Sequence, residues 1–270
     1  YVGNNEKALL YFKKSCESNK WRLQAKILII SILSNPDRKY IWCDDSPLAD
    51  EESITECENI LESIQSKIGN IDELTSSLLK ADILCSRNTN ESISEARSIY
   101  SDLLDKNAGN KACRVGLARC LTRFGEFDQA EKLLNFVVTE KPFLESCSYF
   151  EEAYLIIAHI VEEKKNFTSA QHYIFFALEL NMGCKKAWEM SAAINLKNKM
   201  YSEAANAFGH LWDLCDHRDP EIGYEYAYCS MKSKKFEIAL IVCRDVLKLH
   251  PEYKDLKQEI LTPCFKKVRK

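Results

Sequence analysis

One arrangement of apolar and small residues recurs along the chain. An aromatic residue or isoleucine is followed three places on by alanine, and apolar residues return four and seven places after that. It is met at Ile93 and Ala96, Phe127 and Ala130, Phe167 and Ala170, Tyr201 and Ala204, and Phe236 and Ala239. The spacing matches the 3.6-residue period of a helix buried along one side. The clearest copy runs from Lys111 to Phe143. Leu117, Ala118 and Leu121 mark a first helix, Gly125 a turn, and Phe127, Ala130, Leu134 and Val137 a second helix that Pro142 stops. Each residue type has a mechanical reason. Ala118 and Ala130 are small, so paired helices can approach to roughly 8–10 Å. Glycine accepts the left-handed dihedral that ends a helix, and proline cannot continue one.

The five alanines are 34, 40, 34 and 35 residues apart. A helix–turn–helix unit of about 34 residues is the tetratricopeptide repeat. The phase predicts repeats at 77–110, 111–150, 151–184, 185–219 and 220–251. Asn5 to Ser18, with Ala8 as its small residue, reads as the second helix of a truncated repeat over 1–20. Residues 21–68 read as a further repeat: a first helix at Trp21 to Ser34, an irregular insertion over 35–50 containing Pro36 and Pro47, and a delayed second helix from Glu51 to Ile68. Glu252 to Leu261 reads as a solvating cap helix, which solenoids need at a terminus. Pro263 is expected to break the pattern ahead of a basic tail, Lys266, Lys267, Arg269 and Lys270. The expected fold is all-α: one tetratricopeptide-repeat superhelix (an α-solenoid) over 1–270, of about six repeats plus a C-terminal cap helix. Because Tyr1 opens directly into a helical pattern, it is expected to be the C-terminal part of a longer array.

Composition narrows the function classes. Eight glycines and six prolines are about 5% of 270 residues, against roughly 12% on average, too little punctuation for a turn-rich β fold. The net charge is 37 − 40 = −3, which gives no support to nucleic-acid binding. No unbroken apolar run exceeds six residues, as at Ala153 to Ala158 and Ile238 to Cys243, far too short to span a membrane. Twelve cysteines without a Cys-x-x-Cys pair read as free thiols packed as small apolar groups in a reducing compartment. There is no glycine-rich phosphate loop, nucleophile elbow or His-Glu-x-x-His. Cys215 and His217 alone are a poor metal chelate. No catalytic, cofactor or metal residues are assigned, and the chain reads as a non-enzyme.

The candidate chemistry is that of protein contact. The concave face of such an array is lined by first helices, where Arg119, Arg123, Leu155, His159, Glu189, Tyr224, Tyr228 and Met231 are expected to project. Arg119, Arg123, His159, Tyr224, Tyr228 and Met231 are the candidate partner-binding residues, since aromatics and arginine anchor interfaces. Tyr224, Tyr228 and Met231 fall on one helical stripe, which fits either a partner site or a seat beneath the cap helix. Chaperone-binding arrays hold a carboxylate with Lys and Asn at the fifth and ninth first-helix positions. Here those positions hold Val115 and Arg119, Leu155 and His159, Glu189 and Ala193, so that clamp is absent. Eight acidic residues from Asp44 to Glu62, without a basic one, read either as a docking surface for a basic partner or as a solvated loop leading into a helix N-terminus.

Consensus and off-consensus stretches together carry a resemblance. They are Trp21-Arg22, Asn35-Pro36-Asp37 before the acidic insertion, Cys184 to Trp188, Tyr201 to Ala205, Asp219 to Tyr224, Ala239 to Cys243, and the ending Val246-Leu247 and His250 to Tyr253. On these the chain resembles the C-terminal end of the large tetratricopeptide subunit of intraflagellar transport complex A, over nearly all 270 residues. The resemblance implies a non-enzymatic scaffold in the cilium or flagellum and basal body. That complex serves retrograde, dynein-driven transport and the entry of membrane proteins. Implied partners are the other complex A subunits, with WD-repeat and tetratricopeptide regions, and a small, largely disordered subunit. No cofactor is implied. The alternative is a tetratricopeptide scaffold, or a peptide-groove adaptor, of another assembly.

Overall fold

A computed structural model describes residues 5–43, 46–67, 71–140 and 147–268. Tyr1, Asp44, Asp45, Ile68, Pro142, Phe143, Arg269 and Lys270, named above, lie outside the described residues. Among the described residues there is no β-strand. The chain packs as two compact units, Tyr1–Ile156 and Ile157–Lys270, divided within one helix.

In the first unit, α1 (Asn5–Ser15), α2 (Arg22–Leu33), α3 (Glu51–Lys67) and α4 (Glu73–Arg87) come first. Ile29, Ile30, Ile54, Cys57, Ile64 and Ile83 form their core. α5 (Asn90–Lys106), α6 (Lys111–Arg123), α7 (Phe127–Val138) and α8 (Cys147–Glu163) follow. Two starts differ from the repeat phase read above. α4 begins at Glu73 rather than 77, because Asp72 caps it by accepting the Thr75 N–H. α8 begins at Cys147 rather than 151. α5 also starts ahead of Ile93, at a capping box between Thr89 and Ser92. The small residues do what their size allows: Ala96, Ala118 and Ala130 are fully buried.

Among its described residues the insertion over 35–50 has no helix, but it is built into this unit. The Leu48 N–H donates to the Ser86 carbonyl at 2.8 Å, and Asn88 Nδ2 to the Ser46 carbonyl at 2.8 Å. Ile41, Leu48 and Ala49 are buried. Asp50 closes the insertion by accepting the Ser53 N–H at 2.7 Å. Glu51 and Glu52 then occupy the first turn of α3, where the helix dipole favours negative charge.

In the second unit α8 ends and α9 (Phe167–Leu180), α10 (Lys185–Lys197), α11 (Tyr201–Leu214), α12 (Pro220–Lys232) and α13 (Phe236–Leu249) follow. Ala170, Ala204 and Ala239 are fully buried. The terminal segment is more than a solvating cap. α14 (Lys254–Leu256), a π-turn over Lys257–Leu261 and α15 (Thr262–Val268) put Leu256, Ile260 and Cys264 into a core with Trp212, Val242 and Val246. Pro263 does not end the structure as expected. It lies inside an unbroken helical segment that runs from Lys254 to Val268. Its missing N–H leaves the preceding turn to close wide: the Thr262 N–H reaches back five residues to the Lys257 carbonyl.

The turns between paired helices share one closure. After α6, the Glu126 N–H reaches the Leu121 carbonyl at 2.9 Å, and the Gly125 N–H the Thr122 carbonyl at 3.0 Å. This is the Schellman arrangement, with a left-handed residue just past the helix. That residue is Gly125 (φ 75°) here, but Lys165 (φ 60°), Lys199 (φ 58°) and Lys234 (φ 64°) in the turns that follow. All three lysines are exposed, and a side chain in this region costs about 1 kcal/mol or more. Lys165→Gly, Lys199→Gly and Lys234→Gly together should add about 1.5 kcal/mol after the extra unfolded-chain entropy of glycine. Thermal unfolding followed by circular dichroism checks this, with the reverse change, Gly125→Lys, expected to lower the midpoint.

All twelve cysteines are free thiols, most of them buried. Burial pushes Cys57, Cys229 and Cys243 up to about 12, so these side chains pack as uncharged apolar groups. Among the described residues, no helix is long and apolar enough to cross a membrane.

Candidate interaction surfaces

Arg119 sits mid-way along α6, on the turn after Gly116. Its Nε and Nη2 donate to the two carboxylate oxygens of Glu152 on α8 at 2.7 and 2.8 Å. Nη1 donates to Asp82 Oδ1 on α4 at 3.2 Å. The Tyr100 hydroxyl, from α5, donates to the same Asp82 oxygen at 2.6 Å. The Arg119 and Glu152 side chains are each only 17% exposed. Burial works against the Arg119 charge, but Glu152, Asp82 and their neighbours outweigh it and hold its pKa above the ordinary arginine value. Burial and the adjacent Asp82 push the Tyr100 hydroxyl up in turn. Arg119, expected on an open binding face, is therefore the hub of an internal network linking three first helices. Its donors are met before any partner arrives. Arg123 lies half-buried in the last turn of α6, where a cation suits the free carbonyls.

α8 explains another difference. Leu155, expected to project, is fully buried, as are Phe150, Ala153, Ile156, Ile157, Ala158 and Ile160. Most of the middle of α8 therefore faces the core, and its open side is left to Glu151, Glu152, Tyr154 and His159, all half-buried. His159 is half-buried. Burial lowers its pKa against the pull of Glu163 and Glu162. On α10, Glu189 is half exposed and lies 3.8 Å from Lys186.

The stripe on α12 is the most developed aromatic surface. Tyr224 and Tyr228 lie with ring centroids 6.3 Å apart and planes within 11°. Tyr201 of α11 meets Tyr228 edge-on at 6.4 Å. Tyr253 meets Tyr224 at 6.1 Å. The Tyr224 hydroxyl donates to Glu259 in the terminal π-turn. That bond, ahead of burial and the Glu259 charge, pushes the Tyr224 pKa up. Tyr224, Tyr228 and Met231 are all half-buried against the core that holds the terminal helices. The stripe thus seats the terminal segment at one end and leaves ring area open along its length. Arg119 and Arg123 belong to the first unit, and His159, Tyr224, Tyr228 and Met231 to the second.

Cys215 and His217 do not converge. The Cys215 thiol turns to the Trp212 carbonyl at 3.2 Å. The His217 ring pairs with Asp213 at 3.0 Å and stacks on Trp212. Among the described residues no three His, Cys, Asp or Glu side chains are grouped to hold a metal.

Three groups were not singled out from the sequence: the Asp82 and Glu152 carboxylates, the Glu225 carboxylate, and Tyr253 with Glu259. Asp82 and Glu152 lie 37 and 33 residues from Arg119, one repeat away on either side. A search for opposite charges at the repeat spacing finds them.

Solved structures with the same fold include the anaphase-promoting complex hetero-tetramer Cut9–Hcn1 (TM-score 0.62, 15% identical, covering 99% of this chain and 48% of that one). The pilus biogenesis factor PilW aligns with TM-score 0.57 at 12% identity, covering 76% of this chain and 90% of that one. These show an all-α tetratricopeptide solenoid. Tetratricopeptide repeat protein 21A of Homo sapiens is 22% identical over 283 residues. The tetratricopeptide repeat protein 21 homolog of Caenorhabditis elegans is 24% identical over 279 residues. Each alignment covers all of this chain and 21% of the relative, so the chain spans about a fifth of their length. The sequence profile of the tetratricopeptide repeat protein 21 C-terminal ARM domain matches residues 56–265. The chain belongs to the tetratricopeptide repeat protein 21 family and corresponds to its C-terminal helical-repeat domain.

Proposed function

We propose that this chain is a non-enzymatic scaffold segment of intraflagellar transport complex A, working in retrograde ciliary transport and in the entry of membrane proteins into the cilium. The observation that carries the reading is the family match over residues 56–265, joined to the off-consensus residues, from Trp21-Arg22 to His250-Pro251-Glu252-Tyr253, on which the chain resembles that complex's large tetratricopeptide subunit. The physical role is architectural. Stacked helix pairs present a preformed surface, so little ordering entropy is lost on association, and several modest contacts on one rigid body act together as avidity. The partners are the other complex A subunits, the site of action is the cilium and basal body, and dynein-driven trains are engaged through the complex. Affinity capture of the chain from ciliated cells tests the proposal: enrichment of the other complex A subunits is expected, and their absence would overturn it.

A further inference from the structure

The open side of α12 combines three features that together describe a ligand. Tyr224, Tyr228 and Tyr253 present half-exposed ring area. Glu225, between the tyrosines of α12, is a half-buried carboxylate with no ion pair among the described residues, and burial raises its pKa. Acidic groups outnumber the nearby Lys232 and Lys257: Tyr253 is pushed up by burial and by Glu221, Asp255, Glu225 and Asp219, and Glu259 stands at the Tyr224 hydroxyl. Lys232 Nζ lies 5.1 Å from the centre of Tyr228, so a cation docking on that ring takes the place of this exposed lysine.

A half-buried carboxylate is costly without a counter-charge, and a tyrosine face attracts a cation electrostatically. A guanidinium satisfies both at once. Its plane stacks on a ring while its edge forks onto a carboxylate. A lysine ammonium pairs as a point charge and leaves the ring largely uncovered. An anionic or neutral segment gains neither contact.

We propose that the surface formed by Tyr224, Glu225, Tyr228 and Tyr253 docks an arginine-bearing segment of a partner protein, with Glu225 as its counter-ion and Tyr228 as its stacking platform. The docking chemistry stands apart from the ciliary assignment and holds whichever assembly the chain serves.

The test is an NMR titration of the whole 270-residue chain with three blocked tripeptides at millimolar concentration: leucine-arginine-leucine, the same peptide with lysine, and the same with citrulline, the neutral isostere of arginine. The arginine peptide should shift the resonances of Tyr224, Glu225 and Tyr228, the lysine peptide less, and the citrulline peptide not at all. Glu225→Gln should weaken arginine binding about tenfold. Tyr228→Leu should weaken it as well, while Tyr228→Phe, which keeps the ring, should retain it. Unchanged circular dichroism shows that each variant is folded. Equal shifts with citrulline, shifts confined to other helices, or no shifts at all would overturn the proposal.

Discussion

Gly223→Ala lowers the melting temperature by about 4–8 °C, a net loss of roughly 2 kcal/mol. Gly223 sits in the first turn of α12, directly over the α11 and α13 side chains. A methyl group there meets the Val246 side chain and comes within 2.7 and 2.9 Å of two Trp212 ring carbons. Both neighbours are buried in the same core as the terminal helices, so neither can step aside without moving that core. Alanine's better helix propensity returns at most about 1 kcal/mol. Two controls separate close packing from a general glycine effect. Gly209→Ala places its methyl 3.2 Å from the half-buried Tyr226 ring, which has room to turn, and should change stability by less than about 0.5 kcal/mol. Val246→Ala removes a clashing partner, so the Gly223→Ala, Val246→Ala double variant should lose less than the sum of the single losses. A melting temperature unchanged by Gly223→Ala would contradict the packing described for α11, α12 and α13.

Arg119→Met costs about 3 kcal/mol in chemical denaturation. The methylene stem is replaced well by methionine, so the loss reports the guanidinium. Without it, the mostly buried Glu152 has lost both of its charge-assisted hydrogen bonds. Asp82 keeps only the Tyr100 hydroxyl of the bonds described for it. Arg119→Lys should recover little, because one ammonium cannot fork onto Glu152 and reach Asp82 as well. Glu152→Gln should cost less than Arg119→Met, since Arg119 keeps its bond to Asp82. Adding Glu152→Gln to Arg119→Met should restore part of the loss by removing the stranded charge. If Arg119→Met unfolds at the same denaturant concentration as the parent chain, Arg119 is not the hub of a buried network.

The parts of the fold legible in the sequence are those set by local chemistry. Phe127, Phe167, Tyr201 and Phe236 each begin a helix, and the alanine three places on is fully buried every time. Ring and methyl recur at these points because a helix pair needs one large and one small residue wherever it closes. The exceptions also have local causes. The Asp72 cap moves the α4 start ahead of its phase, and the terminal helix passes Pro263 by widening into a π-turn over Lys257–Leu261. What stayed hidden depends on partners distant along the chain. Arg119 reads as a free cation until Asp82 and Glu152 are folded against it. Leu155 reads as a groove residue until α8 is seen to turn it into the core. Lys165, Lys199 and Lys234 look like ordinary surface lysines, since nothing in a lysine announces a left-handed backbone. Among the candidate contact residues, the α12 stripe was visible as a period of three and four. Its coupling to Tyr253 and Glu259 required the terminal segment to fold back.

The central claim is that this helical-repeat chain scaffolds a ciliary transport complex. Its most direct test is affinity capture of the tagged 270-residue chain from ciliated cells, read by quantitative mass spectrometry against a tetratricopeptide array from an unrelated family. The account predicts enrichment of the other intraflagellar transport complex A subunits, with WD-repeat subunits among them. Recovery of a coherent complex unconnected with the cilium, or no enrichment of complex A subunits over the control array, would contradict it.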